Sequence, residues 1–132
     1  MRKVYQNETG RFGNCQSAVL ATLLNLDLKE VPNFNQGISG TMSTEQAGQL
    51  FRQNMSDFLR PLGYDVVQIT SSDPEFVINI SRLLDTKVMV GGLSPRGYMH
   101  AAIYYQGELW HDPNPSGGGL IPQIVTLLVP IL

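Results

Sequence analysis

The uncharged stretch GNCQSAVLATLL, residues 13–24, decides how this chain folds. From Cys15 to Leu26 nearly every residue is Ala, Val, Leu or a small polar residue. A helix that is apolar on all sides is buried on most of its faces. The sequence therefore predicts a helix over residues 15–26 that lies at the centre of the domain.

Cys15 is the only cysteine of the chain and stands at the start of this predicted helix. Asn14, or Gly13 before it, suits the N-cap, which places Cys15 in the first helical turn. Unpaired backbone N–H groups and the helix dipole favour a thiolate there, and the thiolate is the nucleophilic form of cysteine. The alternative interpretation is a small buried hydrophobic residue without a chemical role.

The composition indicates one globular domain over residues 1–132, with 42% hydrophobic and 15% charged residues. The net charge is −2 and Lys and Arg do not cluster, so the chain lacks the basic surface of a nucleic-acid binder. A single cysteine excludes a disulfide framework and a multi-cysteine zinc site, and no cofactor is expected.

No apolar segment follows Met1-Arg2-Lys3, so we predict no signal peptide. No apolar run approaches the ~20 residues of a membrane-spanning helix. We therefore expect a soluble, cytoplasmic protein without a membrane partner, in which Cys15 stays reduced.

Two further helices have recognisable start signals. Ser43-Thr44-Glu45-Gln46 matches a capping box, and apolar residues at helical spacing follow it as far as Pro61 and Gly63. Asp73-Pro74-Glu75 combines an N-cap, a proline at the first helical position and an acid in the first turn.

The strand signals come mostly after the helices. They cover residues 64–70, 88–93, 99–104, 108–112 and 123–129. Helices followed by antiparallel strands predict an α+β fold. We expect the buried N-terminal helix and two further helices to pack on one face of a C-terminal antiparallel sheet of four or five strands.

A thiol that cleaves an acyl bond needs an imidazole that takes and returns the proton, and a third group that orients the imidazole. His100 begins a predicted strand at an exposed sheet edge, and His111 precedes Asp112. The alternatives are that His100 is a satisfied histidine at a strand end and that Asp112 only caps the turn after it.

The turn of the predicted hairpin decides which histidine meets Asp112. A three-residue loop, 105–107, with Gly107 as its left-handed residue, places His100 opposite Asp112. A two-residue turn places Ala101 opposite Asp112, with His100 on the other face unless a bulge intervenes. Glycine at the third loop position favours the first arrangement. His111 faces away from His100 in both and is interpreted as structural.

Three motifs in this order resemble the papain-like cysteine peptidase superfamily, in particular bacteriocin-processing peptidases and small phage and bacterial proteins of that fold. They are Gly13-Asn14-Cys15, Gly97-Tyr98-Met99-His100-Ala101 and His111-Asp112-Pro113, and they span nearly the whole chain. The resemblance implies a papain-like fold and a peptide or protein substrate. It also implies Cys15 as nucleophile, His100 as general base and Asp112 as the orienting residue.

The resemblance further implies an upstream glutamine that donates to the oxyanion beside the N–H of the nucleophile. Gln6 is the candidate, although nine residues separate it from Cys15, more than is usual in the family. Gln16 is less suitable because it lies inside the predicted helix, and it stands where many of these peptidases have Trp or Gly. The alternative for Gln6 is an ordinary surface glutamine.

Two functions from different classes follow. The first is hydrolysis of a peptide, isopeptide or other amide bond by acyl transfer to the thiol. The second is a protein-binding module in which the same scaffold leaves its triad unused. A third option, a metal site made from Cys15, His100 and Asp112, lacks the close pair of ligands that zinc sites normally have.

Overall fold

Three α-helices and five strands make up the computed structural model, which describes residues 1–132. The helices are α1 (Cys15–Leu24), α2 (Thr44–Leu59) and α3 (Pro74–Leu83). The strands are β1 (Tyr64–Thr70), β2 (Val88–Leu93), β3 (Met99–Tyr105), β4 (Glu108–His111) and β5 (Ile121–Pro130). They form one sheet in the order β1-β5-β2-β3-β4, with every neighbouring pair antiparallel. The predicted α+β class is confirmed.

The first helix, α1, is the buried central helix that its uncharged sequence predicts. None of its 10 residues is exposed, and those from Ser17 to Thr22 are all buried. It ends two residues earlier than predicted because Asn25 adopts a left-handed conformation, with φ of 57°. The Leu26 N–H then donates to the Ala21 carbonyl and closes the helix end.

The start signals of the other two helices are confirmed. Ser43 Oγ accepts the Gln46 N–H while the Gln46 side chain accepts the Ser43 N–H, which completes the capping box. Asp73 accepts the Glu75 N–H at the start of α3. None of the helices is long and apolar enough to cross a membrane.

Helices cover both faces of the sheet, so the expectation that they cover only one is wrong. The face that we call the α1 face packs α1 and α2 against Met89, Ala101 and Ile103. The other, the α3 face, packs Val77 of α3 against residues of the three central strands, namely Val88, Val90, Ala102, Tyr104 and Val125. The reason is connectivity. Strands β1 and β2 are both antiparallel to β5 and hence parallel to each other, so α3 must cross over β5 to join them.

The β3–β4 hairpin closes through a two-residue turn, and the predicted three-residue loop is wrong. Tyr105 pairs directly with Glu108, which leaves only Gln106 and Gly107 between the strands. Both have positive φ, 51° and 84°, and this matches the twist of a two-residue hairpin turn.

A bulge in the same hairpin still brings Asp112 to the face of His100. The register shifts by one residue between Ile103 and Tyr104, so Ile103 pairs with His111 while Tyr104 pairs with Leu109. If this register is continued by one residue, Asp112 lies opposite Ala102. Because side chains alternate along a strand, Ala102 and His100 share a face, and Asp112 is a diagonal neighbour of His100 on it.

Candidate active site

The loop before α1 is fixed by Asn14, although not through a helix cap. Asn14 occupies the N-cap position but its side chain makes no bond to the helix. Its Oδ1 instead accepts the backbone N–H groups of Asn7 and Glu8, at 3.1 and 3.0 Å. The first N–H groups of α1 are therefore not capped by the Asn14 side chain.

Cys15 is partly buried at the start of α1, where three backbone N–H groups face its sulfur. They belong to Ala101, Gln16 and Cys15 itself. Burial nevertheless has the largest effect and raises the pKa of the Cys15 thiol. The N–H groups at the helix start favour a thiolate, as predicted, but removal of the sulfur from water disfavours the charged form more than these donors favour it.

His100 and Asp112 form the hydrogen bond that the sequence predicts, by way of the bulge rather than the expected loop. His100 Nε2 lies 2.7 Å from Asp112 Oδ1. His100 is 4% exposed, so it does not lie at an exposed sheet edge as expected. Because Nε2 faces the carboxylate, Nδ1 is the ring nitrogen left to exchange a proton with a thiol.

Asp112 is held by three donors. Besides His100, the backbone N–H groups of Asn114 and Gly119 donate to its two oxygens at 3.0 and 2.8 Å. Burial by itself would raise the pKa of this carboxyl, but the three hydrogen bonds outweigh it and lower the pKa. Asp112 is thus a carboxylate near neutral pH. It both caps the following loop and binds the imidazole, so the two interpretations of this residue are not exclusive.

The His100–Asp112 pair and the start of α1 both lie near the point where β4 ends. The last pair between β3 and β4 is Ile103 with His111, so residues 99–102 have no strand partner on that side. The start of α1 lies near this unpaired part of β3, where the Cys15 sulfur faces the N–H of Ala101, the residue after His100. The three side chains do not form a cluster that could hold a metal ion, which leaves the metal-site alternative without support.

Gln6 lies between the loop that leads into α1 and the segment that follows Asp112. Its N–H donates to the Pro113 carbonyl at 2.9 Å, and Asn14 binds the residues that follow it. Its side chain is buried, with Nε2 donating to the Glu8 carbonyl at 3.0 Å and Oε1 without a partner. Gln6 is therefore not an ordinary surface glutamine. The Gln16 amide contacts buried methionine sulfurs instead, so it faces away from the site.

His111 fastens the N-terminal segment to β4, in agreement with a structural role. Its Nε2 lies 2.6 Å from the Val4 carbonyl oxygen, and the Tyr5 ring packs edge-on against it with 4.8 Å between centroids. Because the carbonyl only accepts, Nε2 must carry a proton. His111 shares the face of Ile103 and so points away from His100.

A cavity of about 400 Å³ lies at the other end of α1. Its walls include Leu23, Leu24, Val88 and Tyr105. At 1.5 Å of rise per residue, the ten residues of α1 separate this cavity from Cys15 by roughly 13 Å. It therefore takes no part in the candidate site.

No family model, no curated protein and no solved structure matches this chain.

Proposed function

We propose that this chain is a cysteine-dependent hydrolase of papain-like fold that cleaves a peptide, isopeptide or other amide bond. Cys15 is the nucleophile, His100 the general base and acid, and Asp112 the residue that orients His100. The observation that supports this most is the buried 2.7 Å hydrogen bond from His100 Nε2 to Asp112. Ala101, whose N–H faces the Cys15 sulfur, directly follows His100 in the chain.

The chemistry begins with transfer of the Cys15 thiol proton to His100 Nδ1. The sulfur attacks the amide carbonyl carbon, and the carbonyl π electrons move to oxygen to give a tetrahedral oxyanion. The Cys15 N–H and the free proton of Gln6 Nε2 are the proposed donors to this oxygen. The intermediate collapses as the carbon–nitrogen bond breaks and His100 returns the proton to the leaving amine. Water, deprotonated by His100, then hydrolyses the thioester and releases Cys15.

Asp112 has two tasks in this cycle. Its hydrogen bond to Nε2 keeps the proton of the neutral imidazole on that nitrogen, so that Nδ1 has a free lone pair for the thiol proton. Its negative charge then stabilises the imidazolium that forms after proton transfer. Because the pKa of Asp112 is lowered from its ordinary value, the group stays a carboxylate near neutral pH.

The reactivity of Cys15 tests the proposal. An ordinary thiol with a pKa of about 8.5 is only roughly 0.3% ionised at pH 6. A thiolate paired with the His100 imidazolium would instead react with iodoacetamide at that pH, which intact-mass spectrometry measures directly. His100→Ala should remove this low-pH reactivity, and Asp112→Asn should weaken it less because Asp112 acts through the imidazole. Reaction only above about pH 8, unchanged in His100→Ala, would refute the catalytic role.

A second candidate function, a protein-binding module with an unused triad, is favoured by two observations. Burial raises the pKa of the Cys15 thiol, and one proton of Gln6 Nε2 is already bound to the Glu8 carbonyl. Both features suit a scaffold that keeps the site geometry without turnover. The iodoacetamide series separates the two functions, because a binding module predicts a thiol that reacts no faster at pH 6 than a buried, un-ionised cysteine.

A further inference from the structure

The loop between Asp112 and β5 wraps around the Asp112 carboxylate. Asn114 and Gly119, at its two ends, donate their N–H groups to the two carboxylate oxygens. The chain turns back between them because Gly117, Gly118 and Gly119 all have positive φ, of 71°, 102° and 65°. Glycine enters this region without strain but also leaves it readily. The wrapped conformation therefore needs support from outside the loop.

Arg96 provides that support from the turn before β3. Its Nη1 donates to the Gly117 carbonyl at 3.0 Å, and its Nε donates to Tyr98 Oη at 3.1 Å. The guanidinium also lies over the Tyr98 ring, 5.6 Å from the centroid. Arg96 forms no ion pair, with Asp112 or any other acid. Its contact with the loop is thus the one hydrogen bond to Gly117, and the hydrogen bond to Tyr98 fixes the direction of the guanidinium.

We infer that Arg96 is a positioning residue, which holds the glycine loop so that the Gly119 N–H stays on Asp112 and Asp112 stays on His100. The contacts form a closed ring, from Arg96 through Gly117 and Gly119 to Asp112 and His100, and back to Arg96 along the chain. If the ring is opened at Arg96, the loop loses its outer support and the carboxylate can turn away from the imidazole.

The inference rests on the proposed function only for its effect on Cys15, so its structural part is tested separately. We would compare wild type with Arg96→Ala and Arg96→Lys. Lysine keeps the positive charge but cannot reproduce the two-pronged donor geometry of guanidinium. Arg52→Ala is the control, because it also removes an exposed arginine, on α2. Arg96 is exposed, so we expect all these variants to fold, and thermal unfolding checks this.

The primary readouts are amide hydrogen exchange at Gly119 and the NMR titration of the Asp112 carboxyl. Both Arg96 variants should speed Gly119 exchange by roughly threefold to tenfold, as expected for loss of one hydrogen bond. Both should also raise the pKa of Asp112, because a donor that lowers it is lost. Arg52→Ala should leave both quantities unchanged.

Two outcomes would overturn the inference. One is a Gly119 amide and an Asp112 titration that do not change in Arg96→Ala. The other is wild-type behaviour of Arg96→Lys, which would mean that only the positive charge matters. If both readouts shift as expected while Cys15 proves inert towards iodoacetamide at pH 6, the positioning role stands and the proposed hydrolase function fails. If Cys15 is reactive, the same variants should lower its rate at pH 6 more than at pH 9.

Discussion

A single methyl group on Gly13 should disrupt the loop that leads into the candidate site. A Cβ on Gly13 would lie 2.5 Å from the Glu8 carbonyl oxygen and 3.1 Å from that of Gly10. Both are backbone atoms, so no side-chain rotation relieves the overlap. The Glu8 oxygen would have to move about 0.9 Å to reach an ordinary contact distance of 3.4 Å. That oxygen accepts the Asn14 N–H and the Gln6 amide at 3.1 and 3.0 Å.

The cost of Gly13→Ala follows from these two hydrogen bonds. Each contributes about 1 kcal/mol, so their loss destabilises the fold by roughly 2 kcal/mol. Restriction of the unfolded chain by alanine offsets about 0.5 kcal/mol of this. With roughly 4 °C per kcal/mol for a domain of this size, the melting temperature should fall by roughly 6 °C.

A matched substitution makes this result interpretable. Gly40→Ala meets no atom within 4 Å and does not sit at positive φ, so it should leave the melting temperature unchanged or slightly higher. Thermal unfolding followed by circular dichroism compares the two variants. If Gly13→Ala melts together with Gly40→Ala, the Glu8 carbonyl is not the rigid obstacle described here, and the account of how this loop is fixed is wrong.

Three other substitutions probe the core, the candidate site and the hairpin. Leu20→Ala empties a fully buried position in α1 and should cost about 2–5 kcal/mol in a urea titration. Asp112 has a lowered pKa in the folded state, so the stability it contributes is present above its unfolded pKa of about 3.9 and is lost as the pH falls through the folded value. Urea midpoints measured from pH 6 to pH 2 should therefore depend less on pH in Asp112→Asn, and an unaltered dependence would contradict this. Gly107→Ala strains a residue at φ of 84° and should lower stability by about 1 kcal/mol, whereas a neutral result would show that the turn can re-form in another geometry.

Features that depend on a few neighbouring residues could be predicted from the sequence. The burial of α1 follows from its lack of charges, and the capping box at Ser43 is a pattern of two side chains and two N–H groups. These interactions span short separations, so the residues themselves specify them.

Features that depend on distant parts of the chain could not be predicted from the sequence. The crossover that places α3 on the second face depends on β5, which follows α3 by almost 40 residues. Burial of Cys15 depends on the approach of β3, so the raised pKa of its thiol has no signal around residue 15. The hydrogen bond from the Gly119 N–H to Asp112 could not be predicted for a similar reason. A run of glycines can adopt many conformations, and its sequence does not specify which one forms.

The bulge in β4 lies between these two cases. The sequence predicts that Asp112 lies on the same face as His100, and this is correct, but the prediction assumes a three-residue loop that the structure does not have. A two-residue turn and a regular ladder would have put Asp112 opposite Ala101 and on the wrong face. One residue left unpaired in the hairpin corrects this, and nothing in the local composition marks where that residue falls.

The strand order has a consequence for how the protein is made. The last strand in the sequence, β5, lies between β1 and β2, so a nascent chain that has not yet reached residue 121 has a gap inside its sheet. Until β5 fills that gap, β1 has no strand partner, and Val125 is missing from the core on the α3 face. Long-range pairing of this kind forms late and leaves apolar surface exposed in the meantime. The thiol and the imidazole, which both lie upstream of residue 121, should therefore acquire their final geometry only once translation has delivered the last strand.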